Sequence, residues 1–400
     1  MRIRLNNTRC ASFRTLESDL IFFNSHEKYC IFIRRIDLIH MLNLYTVFIR
    51  FCILLFLSIS IQFISTGQRG GERVYTFLEL APSSRIAALG GSLIAVRDGD
   101  VALALHNPGT LNATMHHSMT FQYHFLFDGI SDGYAGFAKH FTTSEITAHA
   151  GVQFIQYGEF TLADEYGDRQ GTFKASEVAL TVGAAKQFGE RMSAGANLRF
   201  VQSNLESYSS SGLMIDIGGV YEDPKSKLTL ALAVRNVGVQ LSTYSGEHED
   251  LPLNVQLGIS KRLEHLPFRF SITAHNLHRW DLLYDSPLEE AETSVIGEAP
   301  REQSGFSRNL DNTFRHLIFG GEFLLGKNEN LHLRFGYNHQ RRKELSVSNL
   351  RSFAGFSLGI GIRIKQFSID YSFASHHIAG STKHIGISTN LERFKKGLLE

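Results

Sequence analysis

From Ser118 onward, hydrophobic and polar residues alternate with a period of two, which places successive side chains on opposite faces of a sheet. In Thr120 to Phe127 the apolar positions are Phe121, Tyr123, Phe125 and Phe127, set against Thr120, Gln122 and His124. Phe268, Phe270, Ile272 and Ala274 alternate with Arg269, Ser271, Thr273 and His275, and Leu331, Leu333, Phe335 and Tyr337 with His332, Arg334, Gly336 and Asn338. Phe367, Ile369, Tyr371 and Phe373 alternate likewise with Ser368, Asp370 and Ser372. The pattern predicts fourteen strands at roughly 118–127, 132–142, 146–157, 173–187, 191–204, 212–222, 228–238, 254–263, 268–277, 315–325, 331–340, 355–364, 367–375 and 382–391. A soluble sandwich would bury the apolar face, so the period alone does not choose an environment.

The connections choose one. Every second connection is tight, at 143–145, 188–190, 223–227, 264–267, 326–330 and 365–366. The intervening ones are longer, at 158–172, 205–211, 239–253, 278–314, 341–354 and 376–381, with only 128–131 short. Short periplasmic turns alternating with longer outer loops, on an even strand number, are the mark of an antiparallel outer-membrane β-barrel. Arg199, Asp216, Arg334, Arg363 and Asp370 then become lumen-facing charges within strands. The fold class is therefore all-β, a 14-stranded antiparallel outer-membrane β-barrel.

Val74 to Leu111 breaks the pattern and reads as short helical turns. Ser83 or Ser84 can cap a helix over Arg85 to Leu89, and Gly90-Gly91 can end it in the left-handed conformation. Asp98-Gly99-Asp100 supplies a turn, and Asp100 can cap a second helix over Val101 to His106, which Pro108 halts at Asn107. Turns this short have no core of their own, so the barrel lumen must supply one: the segment is an N-terminal lumenal plug. Its turn and cap residues are Ser84, Arg85, Gly90, Gly91, Asp98, Asp100, Asn107 and Pro108.

Phe51 to Ile64 is an apolar run of signal-peptide length behind Arg50, and Ser65-Thr66-Gly67 offers small residues for cleavage before Gln68. Met41 opens a well-proportioned signal peptide, so residues 1–40 read as an over-extended gene start and 41–67 as the signal peptide. The plug then occupies 68–117, the transmembrane barrel 118–394 and a basic tail 395–400. The late aromatic Phe394 is placed where insertion machinery reads a last strand, although the tail follows it. Cys10, Cys30 and Cys52 all precede the cleavage point, which leaves the mature chain without disulfide or thiol chemistry, and Arg50-Phe51 does not make a lipobox.

Composition narrows the function classes. Lys and Arg number 40 against 39 Asp and Glu, so no basic field argues for nucleic acid. Phe at 31 and Gly at 35, with Pro at only 7, suit short barrel strands. Gly321 to Asn328 nears a phosphate-binding loop but lacks its final Ser or Thr and runs from a strand into a turn. His116-His117 and His376-His377 invite a metal reading, yet adjacent residues of an extended chain point to opposite faces. His275 and Asn276 diverge for the same reason, and no serine sits in a nucleophile setting, so the expectation is no enzyme, no cofactor and no metal. The connection His278 to Phe314, carrying Glu289, Glu290, Glu292, Glu298, Arg301 and Arg308, exceeds what joining two strands requires and is expected to contact a partner at the cell surface.

The run of Phe77-Leu78, Pro82-Ser83-Ser84-Arg85, Ala88-Leu89-Gly90-Gly91, Asp98-Gly99-Asp100 and Asn107-Pro108 resembles the N-terminal segment of the PorV/PorQ branch of the FadL-like superfamily. Relatives often carry Asn-Pro-Ala where this chain has Asn107-Pro108-Gly109, a change expected to loosen the turn. The resemblance implies fourteen strands with this segment folded into the lumen. It also implies membership of the type IX secretion system, holding a PorZ-like surface protein in an attachment complex with PorU and PorV that joins cargo to lipopolysaccharide. The alternative within the same superfamily is a FadL-like transporter of hydrophobic small molecules. The remaining partner in either case is outer-membrane lipid.

Overall fold

The computed structural model describes residues 73–283, 305–345, 353–377 and 380–392. The leader with its three cysteines, residues 284–304 and the tail from 393 lie outside this set, as do the side chains of His376 and His377. The fourteen strands are β1 (Ser118–Phe125), β2 (Ser131–Phe141), β3 (Ile146–Ala163), β4 (Arg169–Phe188), β5 (Met192–Leu205), β6 (Tyr208–Asp223) and β7 (Leu228–Ser242), then β8 (Asn254–Arg262), β9 (Phe268–Ala274), β10 (Leu317–Leu325), β11 (Leu331–Asn338), β12 (Phe356–Ile364), β13 (Phe367–His377) and β14 (Gly380–Asn390). Each pairs antiparallel with its sequence neighbours, and β1 pairs with β14 from Ser118↔Asn390 to Phe125↔Lys383, closing the barrel without an edge.

The two faces settle the environment. Phe121, Leu180 and Leu358 are 54%, 51% and 61% exposed, while their lumen-facing neighbours Thr120, Thr181 and Ser357 are buried. A soluble sandwich would do the opposite. Large apolar side chains are exposed on the outward face of every strand but β9, whose Phe268, Phe270 and Ile272 are half-buried, and they form the belt that hydrocarbon requires. No helix among the described residues is long and apolar enough to cross a membrane, and the strands do the crossing. The chain is an integral outer-membrane β-barrel.

The short turns hold as expected and define the periplasmic end, which also carries the start of β1 and the end of β14. The other end differs from the sequence reading in three places. Residues 158–172 are not a loop, because β3 runs to Ala163 and β4 starts at Arg169; β5 and β6 are joined by 206–207 alone, and β13 and β14 by 378–379. With 18 and 20 residues, β3 and β4 far exceed the ~9–11 needed to span a bilayer, so they project outward as a ribbon. Its pairs put Glu159↔Lys174 and Thr161↔Thr172 on one face and the stacked rings of Phe160 and Phe173 on the other, and a bulge between Gln156 and Glu159, where Gly158 takes φ 87°, interrupts the period that would mark one continuous strand. Two connections carry helices of their own: α2 (Gly305–Arg315) between β9 and β10, and α3 (His339–Glu344) between β11 and β12.

Inside the barrel lies the plug, with α1 (Ser84–Ala88) and four 3₁₀ turns at Thr76–Glu79, Val101–Leu105, Pro108–Thr110 and Ala113–Met115. Ile86, Ala88, Ala102 and Leu103 are completely covered. The lumen thus provides the core that these turns could not build for themselves.

Candidate functional site

The serine that caps α1 is Ser83, whose hydroxyl accepts from Ile86 N at 3.3 Å. Ser84, one residue on, faces the wall instead: its N and Oγ both donate to Gln122 Oε1 on β1, at 3.0 and 3.2 Å. The helix ends through Gly90 and Gly91 at φ 94° and 99°, with Gly91 N reaching back to Ile86 O at 2.9 Å. Ser357 of β12 clamps this end, donating to Ala88 O and accepting from Gly90 N. A Cβ at Gly336 of β11 would collide with Gly90 N, so the wall itself carries a glycine where this end of the plug helix is seated.

Asp100 caps its turn by accepting from Ala102 N at 3.0 Å, as its position predicts. Asn107 does more than stop that turn. Its Oδ1 accepts from Gly109 N and caps a further turn with Pro108 at the first position, while its Nδ2 donates to Ile94 O at 3.0 Å. The following Asn112 caps the next turn and donates to Asp98 O. A Cβ on Gly109 would meet Gly218 O and Gly219 Cα of β6 at 2.9 Å each. Gly109 therefore does not loosen the turn; it permits backbone-to-backbone seating on the wall, a correction that only the pairing of distant glycines reveals.

Two buried ionic networks fasten plug to wall. In the first, Arg85 forms a two-pronged pair with Asp98, at 3.0 and 2.8 Å, reaches Asp100 at 3.4 Å and joins Glu322 of β10 at 3.1 Å. Glu322 also receives Arg269 of β9 and Arg334 of β11, and Arg334 continues to Asp370 of β13. Three guanidiniums thus converge on one carboxylate, which is 2% exposed. In the second, Arg199 of β5 pairs with Asp216 of β6 at 2.9 Å and donates to Leu105 O, while Asn197 donates to Ala104 O at 2.9 Å. Asp216 accepts from Asn236 N, and Asn236 takes φ 60° at a bulge between β6 and β7.

The two ends of the lumen differ in chemistry. At the outer end Val74, Tyr75, Phe77 and Leu78 cluster with Ile155, Val201 and Met214 of the wall, flanked by Leu126, Ile130, Tyr157, Tyr244 and Leu251. Tyr75 also bonds Ser210 Oγ at 2.6 Å, and Arg235 holds Leu78 O at 3.1 Å. At the periplasmic end a cavity of about 680 Å³ opens beneath the plug, lined by polar and charged groups that include Arg97, Lys227, Arg262, Arg363 and Glu329 as well as the first network. Arg363 lies at this mouth, whereas Arg199, Asp216, Arg334 and Asp370 are buried in the lumen.

The sequence was compared with family models and with curated proteins, and none matches. Among solved structures the chain is similar to a mutant of the TodX monoaromatic hydrocarbon channel (12% identity over 78% of this chain and 98% of that one, TM-score 0.46). It is similar also to the CymD monoaromatic hydrocarbon channel (14%, 79% and 97%, TM-score 0.46) and to a Pseudomonas aeruginosa FadL homologue (10%, 77% and 98%, TM-score 0.42). Its solved neighbours thus include FadL-like outer-membrane barrels.

The remaining candidate chemistries resolve into structural roles. Gly321 to Leu325 lies in β10 and runs into the tight turn 326–330. His275 and His316 tie α2 to β9, with His316 Nδ1 donating to His275 O at 2.8 Å. His116 and His117 depart from expectation: His117 has φ 55°, so the rings do not diverge but lie 3.9 Å apart and converge on Glu392. These three groups have metal-like spacing. However, His116 Nδ1 accepts from His140 N at 3.0 Å, so in the neutral ring the proton sits on Nε2, the atom aimed at Glu392. A metal-bound histidine donates through its other nitrogen, the reverse arrangement. The group reads as a clamp across the β1–β14 seam, alongside Asn390 Nδ2 donating to His116 O.

Proposed function

We propose that the protein is a non-enzymatic outer-membrane component of the type IX secretion system that anchors a PorZ-like surface partner in the cargo attachment complex with PorU and PorV. The secretion role rests on the resemblance of Val74 to Leu111 to the PorV/PorQ branch. The observation that carries the anchoring part is the plug's fixation. It is bonded to the wall through Gln122, Arg199, Arg235, Ser260, Glu322 and Ser357, strands on all sides of the lumen, and its own Tyr75, Phe77 and Leu78 stopper the outer mouth. A barrel held shut in this way is a support for what its outer connections bind. Gentle extraction of outer membranes followed by affinity isolation of the barrel tests the reading: a large surface protein recovered in near-equal amount supports it, and a barrel recovered alone sinks it.

The alternative, a FadL-like transporter of hydrophobic small molecules, draws support from the apolar cluster at the outer mouth above an open periplasmic cavity. It requires the plug to move, because the charged network separates the two. Loss of fatty-acid uptake on gene deletion, with secretion intact, would establish this reading over the first.

A further inference from the structure

The connection from β9 to β10 carries a helix mounted the opposite way round from a helix in water. α2 binds the rest of the protein by its polar side. Asn312, 5% exposed, donates to Trp280 O at 2.6 Å and accepts from Leu282 N at 3.0 Å. Arg315 donates to Leu282 O at 3.3 Å, and Asp311 pairs with His339 and Lys343 of α3 at 2.9 and 3.1 Å. Phe306, Leu310 and Phe314 recur every fourth residue and so share the opposite face. They are 78%, 48% and 39% exposed. A helix on a water-soluble surface buries its apolar stripe and shows its polar one; α2 does the reverse, at the cost of an ordered polar interface.

The stripe continues a surface whose solvent is already settled. Phe314 lies 6.5 Å, ring to ring, from Phe319, which alternation on β10 places on the outward face with Phe323. Phe319 pairs in register with Tyr337 of β11, and Tyr337 with Phe356 of β12, whose rings are 4.8 Å apart. These residues stand at the outer ends of strands whose outward face meets hydrocarbon, the level at which barrels carry an aromatic girdle. Trp280, the only tryptophan of the chain, is 63% exposed on the same connection and stacks on His316 at 5.1 Å. Tryptophan concentrates at membrane–water interfaces.

We propose that α2 lies on the outer leaflet of the outer membrane, with Phe306, Leu310 and Phe314 among the outermost acyl chains and Trp280 at headgroup level. The occupant of this face is lipid, because the stripe is continuous with the lipid-facing belt. The inverted mounting follows: acyl chains offer no hydrogen bonds, so Asp311, Asn312 and Arg315 must find theirs in protein. The inference is independent of whether the barrel anchors or transports.

A single tryptophan makes the test direct. The full chain is placed in phosphatidylcholine bilayers, and its emission is compared in lipids brominated near the headgroup, in lipids brominated near the chain ends, and in unbrominated lipid. Trp280 emission should be roughly halved by the shallow bromines and much less affected by the deep ones. Phe306→Trp in a Trp280→Phe background should be quenched at least as strongly and should emit at shorter wavelength; both positions are exposed, so neither change threatens folding. Leu310→Trp in the same background provides a second probe of the stripe. Red-shifted emission that soluble acrylamide quenches and bromolipid does not, at Phe306→Trp and Leu310→Trp in a folded barrel, would overturn the proposal and assign the face to water or to a protein partner.

Discussion

Arg85 of the plug and Glu322 of β10, 237 positions apart in sequence, meet at 3.1 Å in the middle of the lumen, and both are almost wholly removed from solvent. This contact makes the plug part of the wall. Glu322 is also the point where Arg269 and Arg334 converge, so its charge balances several guanidiniums at once. Removing one partner of a buried ionic group leaves the others uncompensated and typically costs about 3–5 kcal/mol. Glu322→Gln should therefore lower the midpoint at which the heat-modified band of the barrel appears on denaturing gels. Asp98→Asn, which leaves Glu322 to balance Arg85, should lower it less. Equal midpoints for wild type and Glu322→Gln would show that the network does not hold the plug.

Seating of the Asn107-Pro108-Gly109 turn gives a second expectation. A methyl at Gly109 would press on backbone atoms of Gly218 and Gly219 at 2.9 Å, and backbone cannot rotate away as a side chain can. Gly109→Ala should reduce the folded barrel recovered from outer membranes, whereas Gly99→Ala, whose nearest contact would be Thr114 Oγ1 at 3.9 Å, should leave it near wild type. Replacing Gly90 and Gly91 with valine should be more damaging than Gly109→Ala, because both take left-handed φ and a side chain there meets Ile318 or Arg341. Normal barrel levels in the double valine variant would refute the lumenal seat of the plug.

How far the sequence reaches can be judged from these residues. Left-handed glycines, the Asp100 cap and the alternation of β1 or β13 depend on local rules, so they are legible in one chain. Arg85 is legible as part of a turn, but its partner is not, since nothing local selects Glu322 from the other carboxylates. The ribbon of β3 and β4 was hidden for a different reason: a bulge at Tyr157-Gly158 shifts the register, so the period breaks there and the residues beyond it read as a loop. Asn107 and Asn112 could have been read as caps from their positions ahead of Pro108 and Ala113. The spacing of Phe306, Leu310 and Phe314 was equally visible, masked by the charges around it.

A third expectation concerns the seam clamp. Because His116 Nδ1 is occupied by His140 N–H, zinc would have to displace the Nε2 proton and break the contact with Glu392. Zinc added at micromolar level should leave the unfolding midpoint of the purified barrel unchanged. A zinc-dependent rise that His117→Ala and Glu392→Gln both abolish would instead establish a metal site.

The last expectation is a pH dependence at the outer connections. Burial would raise the carboxyl of Asp311, but hydrogen bonds from His339, Arg315 and Lys343 outweigh it and hold the group at about 2. A carboxylate depressed in the folded state contributes stability that is fully present above its unfolded value of about 3.9 and is lost as pH falls through the folded value. The contribution of the Asp311 carboxylate to the attachment of α2 to α3 should therefore be lost between about pH 4 and about pH 2. Pepsin is active in that window and reports the change directly: cleavage within 305–345 should accelerate as pH falls from 4 to 2 by more than it does on an unstructured control peptide. Asp311→Asn should be cleaved readily across the whole window, with the barrel strands resistant in both proteins. A variant that is cleaved with the same pH profile as wild type would show that Asp311 does not fasten the helix.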